Sequence, residues 1–237
     1  MASTSATPSR NEITVVLGHA EHDEPHAMGT ALESLARKYR VSMNELVSSM
    51  IKDTNGSTIL HVAAMNGSIV GHHNEDAMGL ASFIDKKDMN GNTAAHMAVA
   101  AGQLVAAHHL RTHGASLNAK NNKGWSLLQA AVKNEHLAMT WLLVRGANIS
   151  ATTIQGNTCL HLAAKSDWYM GSKLLLEKGV DYTVRNKHGL QASEVADINC
   201  SEAFTGLLME MENFQPSANA TDYDWDAIKD EIDGYFE

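Results

Sequence analysis

The residues of this 237-residue chain that could bind a metal or act as a nucleophile are its thirteen histidines and two cysteines. His19, His22 and His26 have zinc-like spacing, and His108, His109 and His113 lie close together in an apolar run. Pro25 interrupts any helix that would align the first three, and no cysteine or second histidine pair completes a tetrahedral set. In the second group a helix would put His109 and His113 on one face and His108 on another. Neither Cys159 nor Cys200 has an activating neighbourhood. A Gly-rich phosphate loop, a His-Glu-x-x-His helix and a Gly-x-Ser-x-Gly elbow are all missing from the sequence. The expectation is a chain with no catalytic residue, no cofactor and no metal, hence not an enzyme. An enzyme with an unrecognised site is the third-ranked alternative.

Three other histidines recur in register. Gly56, Gly91, Gly124, Gly156 and Gly189 fall 35, 33, 32 and 33 residues apart, and five residues after each stand His61, His96, Gln129, His161 and Glu194. Seven residues after each glycine is an alanine: Ala63, Ala98, Ala131, Ala163 and Ala196. A period near 33 residues means stacked supersecondary units, none able to bury its apolar face alone. The glycine suits a tight turn. Thr58, Thr93, Ser126 and Thr158 follow as N-caps, and the residue three further on can reach back to the cap, which makes the histidines structural. The alanine allows neighbouring helices to approach. Leu104–Leu110, Ala138–Leu143 and Lys173–Leu176 read as second helices, closed by Gly114-Ala115, Gly146-Ala147 and Gly179-Val180 as left-handed caps. Each unit is turn, helix, helix, loop.

This pattern resembles the ankyrin repeat, carried above all by Asn55-Gly56-Ser57-Thr58-Ile59-Leu60-His61-Val62-Ala63-Ala64 and Gly156-Asn157-Thr158-Cys159-Leu160-His161-Leu162-Ala163-Ala164. It covers about five degenerate units over residues 53–198. The resemblance implies an all-α solenoid with β-turn fingers. Where the family usually has proline after the cap, this chain has Ile59, Ala94, Leu127, Cys159 and Ala192, which should soften each unit. The resemblance also implies a concave face built from the finger tips and the exposed side of the first helix. On this chain that face comprises Met89, Asn90, Asn92, Asn122, Lys123, Trp125, Ile154, Gln155, Asn157, Lys187 and His188, with Lys133 and Lys165 on the helices. Two readings of Trp125 stand side by side: packing over a neighbouring turn, or an exposed anchor that dominates binding.

Around the repeats, residues 1–28 read as a flexible polar N-terminus and 29–52 as a helical capping unit. Residues 199–215 read as a C-terminal capping helix and 216–237 as an acidic aromatic tail. The net charge divides as −1 over 1–52, +1 over 53–198 and −9 over 199–237. In the tail, Tyr223 and Trp225 alternate with Asp222, Asp224 and Asp226. The tail reads either as a solvated end or as a partner-binding or self-docking segment, one that covers the basic surface of residues 119–198 until a partner displaces it. The apolar run Ile13–Leu17 is too short for a signal peptide or a membrane span. Both cysteines read as free thiols, which suits a reducing compartment.

An acidic chain with no long basic stripe is repelled by phosphate, so neither nucleic acid nor membrane is expected as a partner. The expected function is a monomeric protein–protein interaction module in the cytoplasm. One setting is a translocated bacterial effector or adaptor acting on a host protein, placed in the host cytoplasm after secretion. The alternative is a eukaryotic or viral inhibitor that masks a basic surface of its target.

Overall fold

The computed structural model describes residues 12, 15–16, 25–39, 56–67 and 84–212. His19 and His22, the second half of the 29–52 unit, and the tail with Tyr223 and Trp225 lie outside the described residues. Ten helices and no strands occur among the described residues, and the chain divides into two compact units after Asn122.

The first unit contains α1 (Pro25–Tyr39), α2 (Ile59–Asn66), α3 (Ala94–Ala100) and α4 (Leu104–Thr112). Pro25 opens α1, a position where its missing N–H costs no helical hydrogen bond. α2 packs on α3, and α3 on α4. Short side chains make this close approach possible: Ala63, Ala64, Ala94, Ala95, Ala98, Ala106 and Ala107 are all buried, with Ile59, Val99 and Leu110 filling the remaining volume.

The second unit contains α5 (Leu127–Lys133), α6 (Leu137–Val144), α7 (Cys159–Lys165), α8 (Tyr169–Glu177), α9 (Ala192–Asn199) and α10 (Glu202–Glu212). α5, α7 and α9 pack in succession as one layer, α6, α8 and α10 as a second, and each helix of the first layer pairs with its follower in sequence. Leu127, Leu128, Met139, Leu143, Leu160, Leu174, Leu175 and Phe204 fill the space between the layers. This is the all-helical repeat architecture that the period implied. The five periodic alanines are at most 3% exposed, as expected of positions where helix meets helix.

Helix ends repeat as faithfully as helix starts. Residues 67, 102, 135, 167 and 200, each eleven after a turn glycine, are all left-handed. After α3, α5, α7 and α9 the residue at this position donates back three residues, and its follower donates back five to the periodic alanine, as in Glu135 N–H to Val132 and His136 N–H to Ala131, both 3.1 Å. That is the Schellman arrangement. Three of the five positions carry side chains, Glu135, Asp167 and Cys200, at φ of 57°, 53° and 55°. Among the second helices, Gly114 and Gly179 are left-handed as expected, but Gly146 is not. There the chain turns through an ordinary bond from Ala147 N–H to Leu143, 2.9 Å, which needs no change of hand.

Trp168 and Tyr169 also have structural roles. The indole of Trp168 lies over Gly171, so close that a Cβ there would sit 1.9 Å from a ring carbon. Tyr169 reaches from α8 to Glu210 on α10, 3.4 Å.

Candidate functional site

In the repeats at Gly91, Gly156 and Gly189 the base of the finger is held by a short polar side chain three residues before the glycine, Asp88, Thr153 and Asn186. Asp88 accepts from the N–H groups of Asn90 and Asn92 at 2.8 and 2.7 Å, and Asn186 accepts from those of His188 and Leu190 at 2.9 and 3.1 Å. Within a unit, one finger lies against the next: Asn122 N–H donates to Asn90 at 2.9 Å, and Lys187 N–H to Gln155 at 3.0 Å. Gly91 and Gly124 make this contact possible. Both have positive φ, and a Cβ would lie 2.6 Å from the Asn122 nitrogen in one case and 2.8 Å from that of Ile154 in the other.

The recurring histidines join cap to finger. In α7, the Thr158 backbone N–H donates to Nδ1 of His161 at 3.2 Å. An N–H can only donate, so Nδ1 is the acceptor and the ring proton resides on Nε2. Nε2 then donates to the Leu190 carbonyl of the following finger, 2.9 Å away. His61 does the same between Thr58 and the Asn92 carbonyl, at 3.2 and 2.9 Å. Gln129 substitutes an amide: Oε1 accepts from Ser126 N–H at 3.0 Å and Nε2 donates to Ala151 at 2.8 Å. His96 caps α3 through Thr93, 3.2 Å. In the last repeat the Gln191 N–H holds the Glu194 carboxyl below its usual range, with Arg185 at 2.8 Å adding to the effect. These side chains act as caps and as spacers between repeats.

Other chemistry-bearing residues are similarly occupied. Burial pushes the Cys159 thiol up to about 12, where it is no nucleophile. The rings of His109 and His113 stack with centroids 6.3 Å apart, and Nδ1 of His113 donates to the His109 carbonyl at 2.8 Å. Among the described residues no group of three histidine, cysteine or acidic side chains is arranged to hold an ion.

What remains accessible is a periodic set of side chains. Met89, Asn90, Asn122, Lys123, Ile154, Gln155, Lys187 and His188 are exposed on the fingers, with Met89 70% and Ile154 56% accessible. Lys133 and Lys165 are exposed near the ends of α5 and α7. Trp125 is half-buried. Asn92 and Asn157 belong to the framework instead. Asn92 donates to Asp88 and accepts from Asn121, 3.2 and 3.0 Å, while Asn157 accepts from Asn186 at 2.9 Å and donates to Gln155 at 3.3 Å. Both side chains are spent on neighbouring finger groups. Met65, Ala100 and Ile198 occupy the register of Lys133 and Lys165, nine residues after the glycine, and are also exposed. That register alone would have found them.

The two units present different chemistry. In the first, the finger and helix-end positions carry Met65, Met89, Asn90, Asn92, Ala100 and Asn122, with no charge among them. In the second they carry Lys123, Lys133, Lys165, Lys187 and His188 beside Ile154 and Ile198, with the exposed carboxylates of Glu135 and Asp167 two residues beyond Lys133 and Lys165.

Fingers, paired helices and cap-to-finger side chains define a helical repeat protein. The family model described as ankyrin repeats (3 copies) matches residues 72–153 and, overlapping these, 106–186. The chain belongs to the ankyrin-repeat family. A putative ankyrin repeat protein of Acanthamoeba polyphaga mimivirus is 34% identical over 76 residues, 32% of this chain. The match spans about 10% of that relative's length. Outside the matched residues, His61 and Glu194 extend the same cap chemistry to the repeats at Gly56 and Gly189.

Proposed function

We propose that this chain is a protein–protein interaction module whose partner rests on the finger tips and the ends of the helices that follow them. One observation supports this reading most: Met89 and Ile154, large and apolar, stand 70% and 56% exposed two residues before Gly91 and Gly156, one in each unit, with charged or amide side chains around them and Asn122 at that register of the finger between. Scattered exposed apolar residues need no explanation, but one that recurs at a finger register with exposed polar side chains around it has the makeup of an interface core. The unpaired thiols of Cys159 and Cys200 suit a reducing cytoplasm.

The test is affinity capture from cytosol with wild type, Ile154→Ala and Trp125→Ala. Loss of a captured protein with Ile154→Ala, about tenfold or more in affinity, with an unchanged melting temperature, places the interface on the fingers. For Trp125→Ala, an affinity loss of about 2 kcal/mol at unchanged stability makes it an anchor. A fall in melting temperature makes it a packing residue. Identical capture by every variant overturns the reading.

A further inference from the structure

The finger face of the second unit has a candidate ligand in its own chain. Its presented positions carry Lys123, Lys133, Lys165 and Lys187 with Ile154 between them, and these four lysines outnumber the two exposed carboxylates beside them, Glu135 and Asp167. The described structure ends at Glu212 on α10, and the 25 residues that follow contain seven acidic side chains and one basic. Among them, Asp222, Asp224 and Asp226 alternate with Tyr223 and Trp225. Lysines flanking an isoleucine on one side and carboxylates flanking aromatic rings on the other are complementary in both charge and apolarity. Reach permits the meeting. From Glu212 to Asp222 the extended chain spans up to roughly 35 Å. Neighbouring helices pack about 8–10 Å apart, and α10 lies against α9, the last helix of the finger-bearing layer.

We propose that residues 216–237 dock in cis on the lysine-bearing finger face of the second unit and compete there with the partner. This rests on the interaction-module reading and assigns its regulation. The segment is tethered, so its local concentration is of millimolar order and even weak contacts keep the face covered. Salt loosens it, since the lysines are exposed. A partner must then either outcompete the segment or bind it.

The experiment uses the full chain and amide NMR. Wild type is compared with Tyr223→Ala/Trp225→Ala and with Asp222→Asn/Asp224→Asn/Asp226→Asn. The expected result is a change at the amides of 154–155, 165–166 and 187–188 in both tail variants, with 84–122 unmoved. A fluorescent peptide of residues 216–237 should bind the Tyr223→Ala/Trp225→Ala chain at least tenfold more tightly than wild type. Lys165→Glu/Lys187→Glu in the tail-variant chain should abolish that binding.

Unmoved finger amides in both tail variants overturn the proposal. So do changes that depend on protein concentration, which would give the face to a second copy. Finger variants that lose a partner while tail variants leave the amides still would overturn cis docking alone and leave the module reading standing. If cis docking is seen but no finger variant loses a partner, the module reading fails by itself.

Discussion

Glu135 and Asp167 have the same backbone conformation for different reasons. Each stands at a left-handed helix end where an L side chain costs about 1–2 kcal/mol. Glu135 is exposed, and among the described residues its side chain has no hydrogen bond to offset the cost. Glu135→Gly should therefore raise stability by roughly 0.5 kcal/mol, after the larger entropy loss of glycine, read as a higher urea midpoint. The Asp167 carboxylate instead accepts from the Phe204 N–H near the start of α10, 2.9 Å. Asp167→Gly should relieve the strain yet lose about 1 kcal/mol through the missing cap. His161 provides a pH signature. Burial depresses its pKa below the ordinary 6.5, against a smaller opposing effect of the Leu190 carbonyl. The unfolded chain thus takes up the proton first. This contribution to stability is intact above pH 6.5 and is lost as pH falls below it towards the folded-state value. Urea midpoints between pH 7.5 and 5.5 should decline for wild type and decline less for His161→Gln, since Gln129 already shows that an amide can bridge cap and finger.

At the scale of the element, two helix glycines should respond to alanine with opposite signs. In α8, Gly171→Ala drives a methyl into the Trp168 ring and should cost about 1–3 kcal/mol, with a shift in tryptophan emission. In α10, Gly206 has nothing within 4 Å of a Cβ, and Gly206→Ala should gain about 0.5–1 kcal/mol. Thermal melts of the pair check both. Helix starts were legible in the sequence because cap, N3 residue and glycine are neighbours along the chain. Asn92 and Asn157 were not, because the residues that occupy their side chains include Asn121 and Asn186 of the next finger, 29 residues on. The left-handed helix ends escaped for another reason: glycine marks them only at Gly67 and Gly102, and the later repeats put Glu, Asp and Cys there. Gly146 erred in the opposite direction, a glycine where no special conformation is needed.

For the whole molecule, stability in a repeat stack is approximately a sum over units and their neighbours, so a defect is felt next door. Ala163, fully buried in α7, tests this: Ala163→Leu should cost about 1–3 kcal/mol and speed hydrogen exchange in α5 and α9 as well as α7. Exchange faster in α7 alone would mean that the layer yields locally. The placement of the two thiols also has a practical outcome. Cys200 is open to solvent, whereas Cys159 is shut inside the first turn of α7 and can meet a reagent only when that turn opens. A thiol-specific dye added to native protein will thus react in two phases, an immediate one at Cys200 and a slow one at Cys159 whose rate counts openings of the repeat. The chain carries its own stopwatch for breathing, with Cys200 as the control built into the same molecule.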